Sequence, residues 1–97
     1  MTTYRRIKSV ELTIAIIKFL ARQDEPVSGN VISKGLGTPV GTIMCHLVTL
    51  EEGDLVKRTG EQYSLGVYIA AIREVVKKSL ELTIKRAQKD LDFINNN

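Results

Sequence analysis

A stretch of twenty residues, VISKGLGTPVGTIMCHLVTL at positions 31–50, constrains the fold of this chain more than any other. It reads as two short helical segments joined by a tight turn, because Gly35 and Gly37 allow the backbone to turn sharply. Thr38 and Pro39 predict a strong start for the second helix, since threonine caps exposed amides and proline suits the first helical position. Apolar residues then recur at spacings of four and three, namely Ile43, Leu47 and Leu50. This period predicts a buried stripe and a free face opposite it.

Length and composition restrict the class of protein. The chain has 97 residues, which predicts one small domain with a single core. Its one cysteine, Cys45, excludes an internal disulfide framework, so a reducing compartment, the cytoplasm, is expected. Glu11 and Lys18 interrupt the first apolar segment, which argues against a signal peptide or a membrane span. We therefore expect a soluble protein with no membrane partner.

The distribution of charge along the chain is more informative about a partner than the net charge. The formal net charge of +3 is compatible with a polyanionic partner but too small to require one. Residues 1–8 carry three positive charges and residues 9–35 are neutral. Residues 36–66 have two basic against four acidic side chains, and residues 67–97 have six against four. Positive charge therefore lies mainly at the two ends.

The first third of the chain predicts an arm and two helices. Residues 1–8 have no apolar period and predict a mobile basic arm. Ser9 is expected to cap a first helix, which Asp24, Glu25 and Pro26 terminate. Ser28 is expected to cap a short second helix that runs to about Lys34.

The third helix is expected to run from Pro39 to about Glu52 and to end with Gly53 in a left-handed cap. The apolar period then changes to that of a hairpin. Its β-forming residues are Leu55, Val56, Tyr63 and Leu65, with Gly60 in the turn. The predicted fold class is mainly α with a small β-hairpin wing.

From residue 67 to about residue 94 the pattern is helical again. Apolar residues step by three or four throughout: Ile69, Ile72, Val76, Leu80, Ile84, Ala87, Leu91 and Ile94. Such a helix is roughly 40 Å long against a radius of gyration of about 13 Å, so its own domain cannot bury the whole stripe. We predict dimerisation as a coiled coil with a second copy, the alternative being a C-terminal half that frays or folds back. Residues 95–97 are predicted to be a disordered tail.

Short segments scattered over residues 9–66 share their order and spacing with a known family. They are Ser9-Val10, Ile32-Ser33, Gly37-Thr38-Pro39, Thr42, Thr49-Leu50, Glu51-Glu52-Gly53, Leu55-Val56 and Tyr63-Ser64-Leu65-Gly66. Together they resemble the N-terminal winged helix-turn-helix domain of IclR-type bacterial and archaeal transcriptional regulators. The resemblance implies that the helix from Pro39 is a recognition helix for the DNA major groove, that the 55–65 hairpin is the wing, and that the long helix is a dimer-forming linker.

Two features depart from the family pattern. Members usually continue into a larger effector-binding domain, which we do not expect here, so no small-molecule effector is predicted. The recognition helix of the family commonly has a serine just before the threonine and an arginine three residues after it. This chain has Gly41 and Cys45 at those positions. The usual contacts to phosphates or bases are therefore not carried over.

The free face of the predicted recognition helix has no lysine or arginine. It comprises Gly41, Cys45, Val48 and Glu52, flanked by Thr42, Met44 and Thr49. The bidentate base contacts of Arg, Lys, Asn or Gln are absent there. Weaker contacts to DNA remain possible on this face. Threonine hydroxyls can bond to bases or phosphates, and Val40 and Met44 can contact thymine methyl groups. Gly41 permits a close approach of the backbone, and the helix N-terminus at Thr38 favours a phosphate.

Electrostatic attraction would then come from other segments. The candidates are Lys34 on the second helix, Lys57 and Arg58 at the base of the wing, and Arg5, Arg6 and Lys8 on the arm, which could reach a minor groove. The alternative for each is an ordinary solvated surface residue. The predicted DNA-binding residues are thus Thr38, Val40, Gly41, Thr42, Met44, Cys45, Lys34, Lys57, Arg58, Arg5, Arg6 and Lys8.

Cys45 and His46 are not expected to form a catalytic or metal site. Neighbouring residues on a helix point about 100° apart, and the chain has no other Cys or His to complete a site. We expect His46 to be a packing residue and Cys45 to be an inert small side chain or, if exposed, a redox sensor. No cofactor and no enzymatic activity are expected.

Two functions of different classes remain. The first is a sequence-specific regulator that binds double-stranded DNA as a homodimer in the cytoplasm, associated with the nucleoid. The second is a winged-helix interaction module whose nearly uncharged 41–48 face docks on another protein. The missing recognition-helix arginine favours the second; the basic arm, the wing and the resemblance favour the first.

Overall fold

The computed structural model describes residues 3–97 and contains four helices and three short strands within that range. In chain order they are α1 (Lys8–Ala21), β1 (Val27–Ser28), α2 (Gly29–Leu36), α3 (Val40–Glu52), β2 (Val56–Thr59), β3 (Gln62–Leu65) and α4 (Val67–Asn95). Helices account for 67% of the structure. The predicted fold class, a mainly helical winged helix-turn-helix with a long C-terminal helix, is confirmed.

The sheet has three strands in the order β1-β3-β2, all antiparallel. The predicted hairpin is present, with Thr59 paired to Gln62 across a turn in which Gly60 has a φ of +63°. The third strand, β1, was not predicted. Its two residues pair with β3, where Val27 lies opposite Tyr63. Two residues are too few to show a period of two, so only the tertiary pairing reveals this strand.

One apolar core holds α1, α2, α3 and the sheet together. The buried residues are Ile16, Leu20, Ile32, Ile43, Leu47, Leu50, Val56 and Tyr63. The stripe predicted on α3 is confirmed, since its three residues are all buried. Burying each such side chain stabilises the fold by about 1.5–3 kcal/mol. Helices α1, α2 and α3 and strands β2 and β3 each supply at least one of these residues. The orientation of α3 is therefore set by contacts with all its neighbours.

The turn between α2 and α3 differs from the prediction in two respects, since Thr38 is not the cap of α3 and Pro39 precedes that helix instead of being its first residue. Ser28 caps α2 as predicted, and Gly37 takes the left-handed conformation at its end, with a φ of +63°. Thr38 does not cap α3: its hydroxyl donates back to the Leu36 carbonyl at 3.3 Å. The Thr38 amide and carbonyl both bond to Ser33, so Thr38 completes the end of α2. The residue before α3 is Pro39, whose carbonyl accepts from the amides of its first turn.

Two other helix ends are displaced by one or two residues. Helix α1 begins at Lys8 after Ile7, so Ser9 is not its cap and instead accepts a hydrogen bond from Thr13 at its carbonyl. At the end of α3, Gly53 has a φ of −89°, and the left-handed residue is Asp54, with a φ of +60°. The Leu55 amide donates to the Leu50 carbonyl at 3.0 Å, which closes a Schellman-type turn around Asp54. Aspartate tolerates this conformation better than most residues with a Cβ.

The chain divides into two compact units, the first ending at Val67 and the second comprising Tyr68–Asn97. The first holds the core, and the second is α4, which has no buried residue over its 29 residues. Residues 1 and 2 of the predicted arm lie outside the described residues. Within residues 3–97, no helix combines the length and apolar character that a membrane crossing requires.

Candidate nucleic-acid interface

The free face of α3 is exposed along its length. Gly41, Thr42, Cys45, Val48, Thr49 and Glu52 are all exposed, and so is Val40 at the start of the helix. The exposed side of this helix therefore agrees with the helical period read from the sequence. It presents hydroxyl, thiol, methyl and backbone groups, with one carboxylate at its C-terminal end.

Met44 lies deeper than a surface contact residue. It is half-buried and packs against the core, where Gly29 makes room for it: a Cβ on Gly29 would lie 2.7 Å from Met44 Sδ. Only part of Met44 is therefore available to a partner.

Gly41 is free of any steric requirement. Nothing lies within 4 Å of the position that a Cβ would take, and its φ is not positive. Glycine inside a helix reduces stability by about 1 kcal/mol relative to alanine. The fold therefore does not need a glycine at this exposed position.

One flank of α3 faces the start of α1. His46 Nδ1 lies 2.8 Å from Thr13 Oγ1, and the Thr13 hydroxyl donates to the Ser9 carbonyl at 2.9 Å. The Thr13 hydroxyl has one proton to donate and can also accept, so it joins the Ser9 carbonyl of α1 to the His46 ring of α3. The prediction of His46 as a packing residue agrees with its half-buried position. Beside it, Cys45 and Thr49 line a cleft of about 320 Å³ between the two helices.

The other flank of α3 faces the wing. Val40, Met44, Arg58 and Asn30 line a groove of about 370 Å³ between α2, α3 and the β2-β3 turn. Asn30 lies outside the predicted set, although it is exposed in the first turn of α2. Asparagine is one of the side chains that read adenine, and its place two residues after the helix-capping Ser28 is the signal available in the sequence.

The predicted cations are all exposed, and they lie at the start of α1, on the wing and on α2. Lys34 is on α2, Lys57 and Arg58 are on β2, and Arg5, Arg6 and Lys8 lie at or before the start of α1. Two of them have carboxylate partners: Arg58 Nε lies 3.6 Å from Glu51 Oε2, and Arg6 Nε lies 3.9 Å from Glu11 Oε1. Exposed pairs of this kind contribute at most about 1 kcal/mol, so a phosphate can displace the carboxylate.

The arrangement is a nearly uncharged helix face with basic segments on both sides. Thr42 is the one hydroxyl on this face that makes no hydrogen bond to the described residues, whereas Thr49 donates to the Cys45 carbonyl at 3.0 Å. Among residues 3–97, no group of three or more His, Cys, Asp and Glu side chains is placed to hold a metal ion.

The helix-turn-helix of α2 and α3, packed on the apolar core, and the three-stranded wing define a winged helix-turn-helix domain in which one face of α3 is exposed. The family model of the IclR helix-turn-helix domain matches residues 9–60. The chain therefore belongs to this family of DNA-binding domains of transcription regulators, and the resemblance seen in the sequence is confirmed.

Solved structures of IclR regulators are similar to this chain. An IclR transcriptional regulator from Alicyclobacillus acidocaldarius is 30% identical, with a TM-score of 0.67, and the match covers 70% of this chain and 28% of that one. The IclR protein of Thermotoga maritima is 21% identical, with a TM-score of 0.66 and coverage of 73% and 29%. HmgR of Pseudomonas aeruginosa is also 21% identical, with a TM-score of 0.72 and coverage of 77% and 33%. The last two show a common fold alone.

This chain spans about a third or less of the length of those three proteins. No curated protein matches it.

Proposed function

We propose that this protein is a sequence-specific regulator of transcription that binds double-stranded DNA as a homodimer. In this proposal α3 enters the major groove, and the wing and the N-terminal arm contact the backbone or a minor groove. The observation that carries it is the exposed, nearly uncharged face of α3 with basic segments on both flanks, in a family of DNA-binding domains. Such a role places the protein with DNA in the cytoplasm.

The residues of α3 would supply shape and sequence preference. Thr42 has a free hydroxyl for a base edge or a phosphate, Val40 can contact a thymine methyl, and Gly41 lets the helix backbone approach the bases closely. The Cys45 thiol lies on the same exposed side. None of these side chains is charged, so this face adds little to non-specific affinity.

The basic residues would supply attraction. Lys57 and Arg58 on β2, Lys34 on α2 and the arm cations reach phosphates on either side of the groove that α3 occupies. Each phosphate contact releases counterions and adds about 0.9 to the slope of log affinity against log salt. Four to six contacts per protomer would give a steep salt dependence.

Dimerisation would use the apolar stripe of α4. Its residues are Ile69, Ile72, Val76, Leu80, Ile84, Ala87, Leu91 and Ile94, and none of them is buried in the single chain. A symmetric dimer binds a symmetric site, so the operator would be a pseudo-palindrome with half-sites about 34–36 Å apart or a multiple of that.

The second candidate is a winged-helix module that binds another protein. The exposed Gly41, Cys45 and Val48 favour it, because an uncharged face with an apolar residue suits a protein surface. In that case α3 would not contact DNA.

Selection from a randomised duplex pool, followed by anisotropy titration of the winning sequence at several salt concentrations, tests the proposal. Enrichment of a palindromic motif, with affinity that falls steeply in salt and exceeds that for scrambled DNA, is the expected result. No enrichment, together with no salt-dependent binding to any duplex, would exclude DNA binding and leave the protein-binding module.

A further inference from the structure

The two cations of the wing lie on opposite faces of the β2-β3 hairpin. Successive side chains of a strand alternate between its two faces, so Lys57 and Arg58 do not share one. Arg58 lies opposite Tyr63 in the strand register, and Tyr63 and Val56 are both buried in the core. Arg58 therefore lies on the face of the wing that is turned toward the helices, and Lys57 lies on the outer face.

Arg58 is the wing cation that a carboxylate neutralises. Its Nε lies 3.6 Å from Glu51 Oε2, and the side chains of Arg58 and Glu51 are 54% and 39% exposed, so a competing anion in solution can reach the pair. Lys57 makes no ion pair with any residue of 3–97. A phosphate can therefore approach Lys57 directly, whereas at Arg58 it competes with Glu51.

The stability of α3 does not explain the carboxylate at position 51. The C-terminal end of a helix carries partial negative charge and favours cations. Glu51 and Glu52 are nevertheless the last two residues of α3, and no basic residue lies in its last turn. Glu52 makes no ion pair in the part of the chain that the structure describes. The ion pair of Glu51 with Arg58 is therefore a specific contact that joins α3 to the wing.

Arg58 borders two different cavities. With Val40 and Met44, from the first half of α3, it lines the groove beside the exposed face of that helix. With Glu51 and Asp54 it lines a cleft of about 310 Å³ at the other end of α3. One long, flexible cation therefore lies between an acidic cleft and the groove next to the face that is proposed to meet DNA.

We propose that Glu51 is a positioning residue that limits DNA affinity, because it holds Arg58 in an ion pair that a DNA phosphate has to displace. The inference rests on the proposed DNA binding and adds a residue that sets its strength. The phosphate gains the Arg58 contact only when the pair is broken, and the freed carboxylate then repels the phosphate. No base takes part in this competition, so Glu51 lowers the affinity for every duplex by the same factor.

Glu51→Gln tests the inference, and Glu52→Gln is the matched control. Both variants remove one negative charge from the last turn of α3, but only Glu51 has Arg58 to release. In anisotropy titrations of the selected and the scrambled duplex, Glu51→Gln should raise the affinity of the dimer about five-fold on both, and Glu52→Gln about two-fold or less. The salt slope should stay that of the wild type, because the number of phosphate contacts is unchanged.

Arg58→Ala shows whether Glu51 acts through the arginine. Combined with Arg58→Ala, Glu51→Gln should raise the affinity no more than Glu52→Gln does, because the cation that Glu51 holds is absent. Circular dichroism verifies that each variant keeps its helix content. A gain that persists without Arg58 would overturn the inference, and so would a loss of affinity in Glu51→Gln or an equal gain in Glu52→Gln.

A measurement without DNA separates this inference from the proposed function. Heparin is a polyanion without bases, and Glu51→Gln should elute from a heparin column at higher salt than the wild type and Glu52→Gln. If the wild type binds no duplex but this order of elution holds, the proposed function is wrong and the restraint of Arg58 by Glu51 stands. If a duplex is selected but the Glu51 and Glu52 variants behave alike on both polyanions, the restraint is wrong and the proposed function stands.

Discussion

Gly41 and Gly66 show how differently two glycines can act in one small domain. Around Gly41 there is open space, whereas a Cβ on Gly66 would lie 2.3 Å from the Asp54 carbonyl oxygen. Gly66 is buried beside the turn in which Asp54 has its positive φ, and its amide donates to the Leu55 carbonyl at 2.9 Å. The fold therefore requires a glycine at position 66, whereas a glycine at position 41 would be required only for DNA binding.

Gly41→Ala should stabilise the domain by about 1 kcal/mol, because alanine favours the helix and meets no neighbour. If the backbone of α3 approaches DNA closely, the same change should weaken binding to the selected duplex. Urea unfolding and anisotropy measure the two effects. Gly53→Ala, at the end of the same helix with ordinary contacts, is the control and should leave DNA affinity unchanged. Full affinity in Gly41→Ala would contradict the close approach.

Gly66→Ala should destabilise the domain by about 1–3 kcal/mol, because the clashing atom belongs to the backbone and cannot rotate away. Gly35→Ala provides a comparison. Its Cβ would meet the Phe19 ring at 2.3 Å, but that neighbour is a side chain that can shift. Urea midpoints should therefore fall more for Gly66→Ala than for Gly35→Ala, and the opposite order would show that the turn at Asp54 is the softer site.

Thr42→Ala should reduce sequence preference more than overall attraction. Loss of one hydrogen bond of about 1 kcal/mol lowers the preference for the selected over the scrambled duplex about five-fold per half-site. Competition anisotropy measures that ratio. Thr49→Ala is the matched control, since the Thr49 hydroxyl already donates within the helix. If Thr42→Ala and Thr49→Ala lowered the preference for the selected duplex equally, the Thr42 hydroxyl would not be the group that recognises the sequence.

At the scale of the elements, sequence periods predicted the helices and the hairpin well because each period is local. The apolar period of α3 correctly separates its buried from its exposed side chains, and Ser28 is correctly predicted as the cap of α2. The misses have tertiary causes: β1 exists through its pairing with β3, Thr38 is held by Ser33, and Met44 is drawn inward by the space at Gly29. The pair of Thr13 and His46, 33 residues apart, could not be read from either segment.

Leu80→Lys tests the dimer at the level of α4. A lysine in the middle of the apolar stripe of α4 that runs from Ile69 to Ile94 should place two charges at the helix pair and leave a monomer. The DNA affinity should then fall at least ten-fold, because one half-site contact is lost. Sedimentation and anisotropy measure both effects. Ala70→Lys adds the same charge about 100° around the helix from the centre of that stripe and should change neither the oligomeric state nor the DNA affinity. If the wild type is itself a monomer, the dimer is wrong.

For the whole molecule, affinity and specificity are assigned to different parts. The candidate cations lie on the flanks and at the N-terminus, whereas residues 36–66, which include α3, carry two basic against four acidic side chains. Mutations of the flanking cations should therefore change the affinity for every duplex, whereas mutations on α3 should change the preference for one sequence over another. Where the duplex lies across the domain is a property of the complex, which neither the sequence periods nor the packing of the single chain determines.

Lys57→Ala combined with Arg58→Ala should weaken binding to all duplexes alike and lower the salt slope of the dimer by about 3 to 4, since two phosphate contacts per protomer are removed. Anisotropy at several salt concentrations measures the slope. Lys85→Ala combined with Lys89→Ala, which removes two cations from α4, should change the slope much less. A loss confined to the selected sequence would assign these residues to base recognition.

The sheet order β1-β3-β2 places Lys57 and Arg58 on an edge strand. The outer side of β2 offers unpaired backbone groups to any other strand, and charged side chains are a common protection against such pairing. The two residues proposed to contact phosphate would then also keep separate molecules from joining through their wings. The double alanine variant should accordingly be checked for aggregation before its DNA affinity is interpreted, because self-association lowers the concentration of active protein and would be mistaken for weaker binding.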